Sequence, residues 1–288
     1  MSIKKIIARL GVLAAIIVFV LAILVQTGVG EAVASASADM IRGYHERAEM
    51  TVRTADKTFD LVSPHMAISS AALESGLLSV SIGVDDYRPY QLEYVHGDSS
   101  HHIAVTNGET VVPLCFGDGE YEIRLLRHET GNQYAPISTQ TVVAHNSDEA
   151  YLYTNSIVRY DESSLPESAS YLSGTGSIDA DISHFVRHTL VYNNERRDAI
   201  LSGVVRSFDG ASASDIVERG DGVCSDFAIL TAAIYREMGI PCRVCIGYVS
   251  DAEELHCWNQ ALEDGVWKNI DNTYSHDADA TYNVLYAY

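Results

Sequence analysis

The chain reads as an α+β protein, a series of short alternating strands followed by helices and then a helix closed against a small antiparallel sheet. Three observations predict this. Between residues 77 and 147, apolar and polar residues alternate in short runs separated by Gly, Asn and Asp turns. From 178 to 219 the apolar residues recur at helical spacing instead. From 222 to 271 one helical run precedes three β-rich runs. At 288 residues, 47% of them hydrophobic, the chain can hold two domains with buried cores.

Residues 1–38 have the pattern of a signal peptide or N-terminal membrane anchor. Lys4, Lys5 and Arg9 precede an apolar run from Leu10 to Val25, and the segment closes on Ala34-x-Ala36-x-Ala38. The run is long for a signal core and slightly short for a spanning helix, so cleavage and retention both stay open. Either outcome puts the body outside the cytoplasm.

Residues 39–76 give a weak signal, with a short helix expected around Ser69–Glu74. In 77–147 the runs Leu78–Val84, Gln91–Val95, His102–Thr106, Thr110–Leu114, Tyr121–Leu126 and Gln140–Ala144 are evenly spaced. Turn signals such as Asn107-Gly108 and Gly117-Asp-Gly119 separate them, which predicts an antiparallel β-sandwich. Residues 148–288 form the remaining unit. Tyr151–Gly176 is a Tyr- and Ser-rich connector, either packed or a linker. Helices are expected around Ile182–Leu190, over Ile200–Phe208 ending at Asp209-Gly210, and over Ser214–Arg219.

The chemistry concentrates in Gly222–Asp271. Phe227, Leu230, Thr231, Ile234 and Met238 recur at helical spacing until Gly239 and Pro241 stop the run. Cys224 therefore falls at a helix N-terminus, where the helix dipole favours negative charge. Arg243–Val249 and Leu255–Leu262 read as a hairpin with His256 near the start of its second strand. Val266–Asp271 follows the Glu263-Asp-Gly265 turn and lays Asp271 alongside His256. An imidazole can take the proton of a thiol, and a carboxylate on the far ring nitrogen fixes its tautomer, so these three residues suit nucleophilic catalysis.

Five linked motifs, Gly222-Val-Cys224-Ser-Asp-Phe227-Ala228, Gly239-Ile-Pro-Cys-Arg243, Gly247-Tyr248, His256-Cys-Trp258 and Trp267-Lys-Asn-Ile-Asp271, resemble the transglutaminase-like superfamily. The resemblance runs from about Asp198 to Thr273. It implies a papain-like core of helices and antiparallel sheet with Cys224, His256 and Asp271 as catalytic residues and no cofactor. A sandwich ahead of such a core implies an accessory role. Trp258 and Trp267, the two tryptophans of the chain, are expected to wall the core beside the site, with a lesser part in shaping an acyl pocket.

The other motifs carry less. Cys115, Cys242, Cys245 and Cys257 bring the cysteine count to five. Cys242-Arg-Val-Cys245 lies in a β-run after a proline rather than at a helix start, so small buried side chains are expected there and not redox or zinc chemistry. His96, His101 and His102 flank a hairpin turn without carboxylates at ligand spacing, so no metal is expected. With 19 Lys+Arg against 39 Asp+Glu, the net charge of −20 disfavours nucleic acid and anionic membrane surfaces as partners. The sequence thus predicts an exported cysteine enzyme acting on a carboxamide or amide bond of a protein or peptide, through a thioester passed to amine or water. A cell-envelope protease or amidase and a non-catalytic binding module with a vestigial triad are the alternatives, together with a structural envelope protein held by its N-terminal segment.

Overall fold

The structure, a computed structural model, describes residues 52–161, 177–204, 208, 210–250, 254–274 and 279–288. The N-terminal segment 1–38 lies outside these. Among the described residues no helix is long and apolar enough to cross a membrane.

After a short β1 (Arg53–Thr54), two four-stranded antiparallel sheets face each other. One holds β2 (Leu61–Ser63), β3 (Met66–Ile68), β4 (Leu77–Ile82) and β7 (Gly108–Pro113), in that order. The other runs β6-β5-β8-β9, from β5 (Tyr90–His96), β6 (Ser99–Val105), β8 (Gly119–Thr130) and β9 (Gln133–Ala144). Alternation does the work here: Tyr90, Leu92 and Tyr94 point inward with Tyr121, Ile123 and Leu125, and meet Leu78, Val80 and Val112 of the facing sheet. Between β3 and β4 a single turn of helix, α1 (Ser70–Leu73), is capped by Ser69. The first sheet thus begins at Leu61, in a stretch whose short runs carry little periodicity.

The described part of the connector, 151–161, packs. Residues Asp148–Leu152 form a 3-10 turn, β10 (Tyr153–Thr154) pairs in parallel with β1, and Val158 and Tyr160 are buried in the second core. Residues 162–176 lie outside the description. Next come α2 (Ile178–Thr189), β11 (Val191–Tyr192), α3 (Asn194–Leu201) and α4 (Ala213–Arg219), with Ser177, Asn193 and Ser212 as N-caps. The helix expected over Ile200–Phe208 is displaced. It starts at Asn194 behind its cap and stops at Leu201, because Gly203 turns left-handed at φ 75°. None of its residues is buried and Val204 is 80% exposed, while Phe208 further on packs against the second core; residues 205–207 and 209 lie outside the description.

β12 (Asp221–Gly222) pairs with β11 in parallel and leads into α5 (Cys224–Glu237). This helix is buried along its length, from Ser225 to Arg236. It lies on a four-stranded antiparallel sheet ordered β15-β14-β13-β16, made of β13 (Cys242–Val249), β14 (His256–Glu263), β15 (Val266–Ile270) and β16 (Tyr282–Ala287). The buried Arg236 donates to the carbonyls of Cys242, Tyr153 and Tyr288 and so ties the helix to the sheet and the connector. All five cysteines are free thiols. Cys242, Cys245 and Cys257 are buried, and burial pushes the Cys245 thiol up to about 12.

The two cores touch through β6 and β16. His101 shares a hydrogen bond with the Tyr288 hydroxyl, and its ring lies 3.9 Å from that of Tyr286. Burial, with His102 beside it, holds the His101 imidazolium down at about 4. His96, at the turn of the β5–β6 hairpin two rungs from His101, bonds the Glu120 carbonyl.

Gly247 is needed where β13 shifts register against β16 between Ile246 and Gly247. A Cβ there would stand 1.9 Å from the Asn283 carbonyl oxygen and 3.0 Å from the Trp258 ring. Gly247→Ala is expected to destabilise the fold by about 3 kcal/mol, as overpacking into backbone does. Urea unfolding of the two proteins checks this, and an unchanged midpoint would show that the strands part freely.

Candidate active site

The site forms where the first turn of α5 meets the start of β14 and the end of β15. Val223 is the N-cap of α5 and Cys224 its first residue, half-buried, so the thiol stands at the end where backbone N–H groups lack helical partners. Gly222 lets the chain arrive there, since a Cβ would lie 2.5 Å from the Asp226 Cβ. Two asparagines on the sheet side then fix the helix. Asn259 of β14 donates to the Ala228 carbonyl at 2.9 Å, and Asn272 donates to the Thr231 hydroxyl at 2.9 Å, both buried. A slide of the helix along the sheet would break both bonds.

His256 opens β14 with its side chain 4% exposed. Its Nε2 lies 2.6 Å from Asp271 Oδ2, and the imidazole also hydrogen-bonds the Cys224 thiol. With Nε2 held by Asp271, Nδ1 is the nitrogen left for the sulfur. Burial alone would depress the imidazolium. The bonds to Asp271 and Cys224, reinforced by their charges, outweigh it and push the His256 pKa up to about 9.

Asp271 stands just past β15, whose Ile270 pairs with Asn259. Its Oδ1 accepts from Thr273 N–H at 2.8 Å, and its carbonyl accepts from Arg187 of α2 at 2.8 Å. The carboxylate is thus aimed from three sides. Cys224, His256 and Asp271, chosen from sequence, converge as one chain of contacts.

The tryptophans are placed differently from the pocket role. Trp258 is 1% exposed, its ring 6.3 Å from that of His256 and its Nε1 donating to Asn269. It is core. Trp267 pairs with Leu262, six residues beyond His256 along β14 and so roughly 20 Å away at strand rise. There it packs edge-on to Tyr151 and carries the Arg243 guanidinium 4.2 Å above its ring. Both side chains face the small core that contains Tyr151, Cys245 and Val249. Strand alternation keeps Trp258 on the face that His256 starts, and distance along the strand removes Trp267 from the thiol.

Two tyrosines hold the place expected of the tryptophans. Tyr274 stacks on His256 at 5.0 Å, and its hydroxyl is hydrogen-bonded to that of Tyr192. Burial raises both phenols, and each feels the charge of Cys224. Sequence reading missed them. Tyr192 stands 32 positions before the cysteine, and only the β11–β12 pairing, Tyr192 opposite Gly222, brings it there. Among the described residues no group of three or more His, Cys, Asp or Glu is arranged to hold a metal ion.

Residues 180–272, which run from α2 to the end of the triad, match the family model described as the transglutaminase-like superfamily. Among solved structures, a protein classed provisionally as a cysteine protease from Cytophaga hutchinsonii is 15% identical with a TM-score of 0.37, over 68% of this chain and 78% of that one. The periplasmic domain of TgpA from Pseudomonas aeruginosa, bound to ethylmercury, is 12% identical with a TM-score of 0.30, over 83% of this chain and 94% of that one. At these TM-scores neither likeness defines the architecture. No curated protein matches the chain.

The raised pKa of His256 makes a pH prediction. Because about 9 lies above the ordinary 6.5, folding favours the imidazolium; this stabilisation is complete below pH 6.5 and lost as pH rises through 9. The stability gap between the wild type and Asp271→Asn should therefore be widest near pH 6 and close towards pH 9. A gap that is constant with pH, measured by urea unfolding, would show that Asp271 does not hold this proton.

Proposed function

We propose that the protein is an exported cysteine acyltransferase or hydrolase in which Cys224 attacks a carboxamide or amide carbonyl of a protein or peptide. The observation that carries this is the placement of His256 between the Cys224 thiol and the Asp271 carboxylate. His256 takes the thiol proton, and the resulting thiolate forms the carbon–sulfur bond. The tetrahedral oxyanion then collapses to a thioester as His256 returns the proton to the departing ammonia or amine. An amine or water, deprotonated by His256, resolves the thioester and frees the thiol. Asp271 keeps the imidazole in one tautomer and steadies its charge. Export rests on the basic and apolar start of residues 1–38.

The oxyanion needs two donors. One is the Cys224 backbone N–H at the start of α5. The other is assigned to the Tyr192 hydroxyl, which the β11–β12 pairing brings beside the Gly222–Cys224 turn. Tyr192→Phe should lower kcat by about 10²-fold, with Cys224 still alkylated by iodoacetamide at the wild-type rate. Loss of alkylation together with turnover would mean that Tyr192 shapes the thiol instead.

Incubation with a glutamine peptide and a labelled primary amine, with ammonia followed in parallel, tests the whole reading. Label incorporation marks an acyltransferase, and ammonia without label marks a hydrolase. Cys224→Ala should abolish both and leave thermal unfolding nearly unchanged, since alanine suits the first turn of a helix. Product formation by Cys224→Ala would remove Cys224 from the chemistry.

A further inference from the structure

Beneath the nucleophile lies a second buried carboxylate that this mechanism does not use. Asp226, in the first turn of α5, is 1% exposed. Its Oδ2 accepts from the Val223 N–H at 2.8 Å, which binds the N-cap residue to the helix it starts. Two guanidinium groups then close on it: Arg219 Nη2, from the end of α4, at 2.6 Å from Oδ1, and Arg196 Nη1, from α3, at 3.2 Å from Oδ2. Arg219 also donates to the Asp221 carbonyl at 3.1 Å, and the Asn193 amide donates to Asp221 Oδ2 at 3.0 Å. Asp226 itself packs against the bare α-carbon of Gly222.

These bonds all end on Asp221 and Asp226, which flank the Gly222–Cys224 turn. A buried ion triad is poor evidence of stability, because desolvating three charges offsets much of their attraction. What it supplies is one geometry, since Arg219 Nη2 and Arg196 Nη1 donate to the carboxylate from two different helices and together leave it few orientations. We propose that Asp226, clamped by Arg196 and Arg219, is a positioning residue. It locks the Gly222–Val223 backbone and so aims the Cys224 thiol at His256 and the Cys224 N–H at the developing oxyanion. The proposal rests on the reading of Cys224 as the nucleophile.

The test is the pH profile of iodoacetamide alkylation at Cys224, mapped by peptide mass spectrometry on the full chain from pH 5 to 9. Asp226→Asn keeps the shape and an acceptor for Val223 but loses both ion pairs. If positioning is the role, alkylation near pH 6, which depends on the imidazole partner, should fall by about tenfold or more, while the rate at pH 9 stays within about threefold. A purely electrostatic role has the opposite sign: removing a negative charge between two arginines would speed alkylation at low pH, and that result would overturn the proposal. So would an unchanged profile with a lower melting temperature, the mark of a merely structural group. Should Asp226→Asn fail to fold, Arg219→Gln leaves Arg196 on the carboxylate and should show a milder loss near pH 6, about threefold; no loss there overturns the proposal equally. A wild-type Cys224 inert at pH 6 would instead sink the nucleophile itself, which separates the two failures.

Discussion

The structure depends on how α5 is docked on β14. The helix is buried on nearly every side, so apolar packing alone would leave its axial position loosely set. Polar contacts set it. Asn259 and Asn272 grip the first two turns from the sheet side, Asp226 grips the entry, and Arg236 grips the far end through three carbonyls. Each of these groups is costly to bury unpaired, so a shifted helix would be penalised at several points together. The Cys224–His256 contact is a consequence of that register.

The same arrangement separates one cysteine from four. Cys242, Cys245 and Cys257 are buried side chains of the sheet, and Cys115 lies beside Tyr94 with its thiol raised by burial. Only Cys224 combines a helix start, a partly open surface and an imidazole. The sandwich is part of the same body: His101 meets Tyr286 and Tyr288, which continue the strand paired with β13. Its hairpin histidines are thereby given structural partners.

Legibility from sequence followed distance along the chain. The sandwich strands were readable because alternation is local, and α5 because its apolar spacing is broken by Gly239. Cys224, His256 and Asp271 were readable because each sits in a short frame with a conformational reason. Gly222 and Gly247, for instance, leave room for Asp226 and for the Asn283 carbonyl. What escaped were partners joined over long separations: Arg196 with Asp226, Tyr192 with Tyr274, Asn272 with Thr231. Asp226 stands inside the Cys224 motif, but its arginines lie outside it and were not visible. The helix expected over Ile200–Phe208 was displaced because apolar periodicity does not show that the chain turns at Gly203. Of the tryptophans, Trp258 walls the core beside His256 as expected, whereas Trp267 lies far along the strand, and only the β14–β15 register shows that.

The central claim is that one thiol in this chain is activated by its imidazole. Competitive alkylation of the native wild-type protein with limiting iodoacetamide at pH 6, quantified at all five cysteines by mass spectrometry, tests it most directly. The account predicts that Cys224 is modified first and almost alone, and that His256→Ala abolishes the preference. Modification of Cys115 before Cys224, or a Cys224 rate indifferent to His256→Ala, would contradict it.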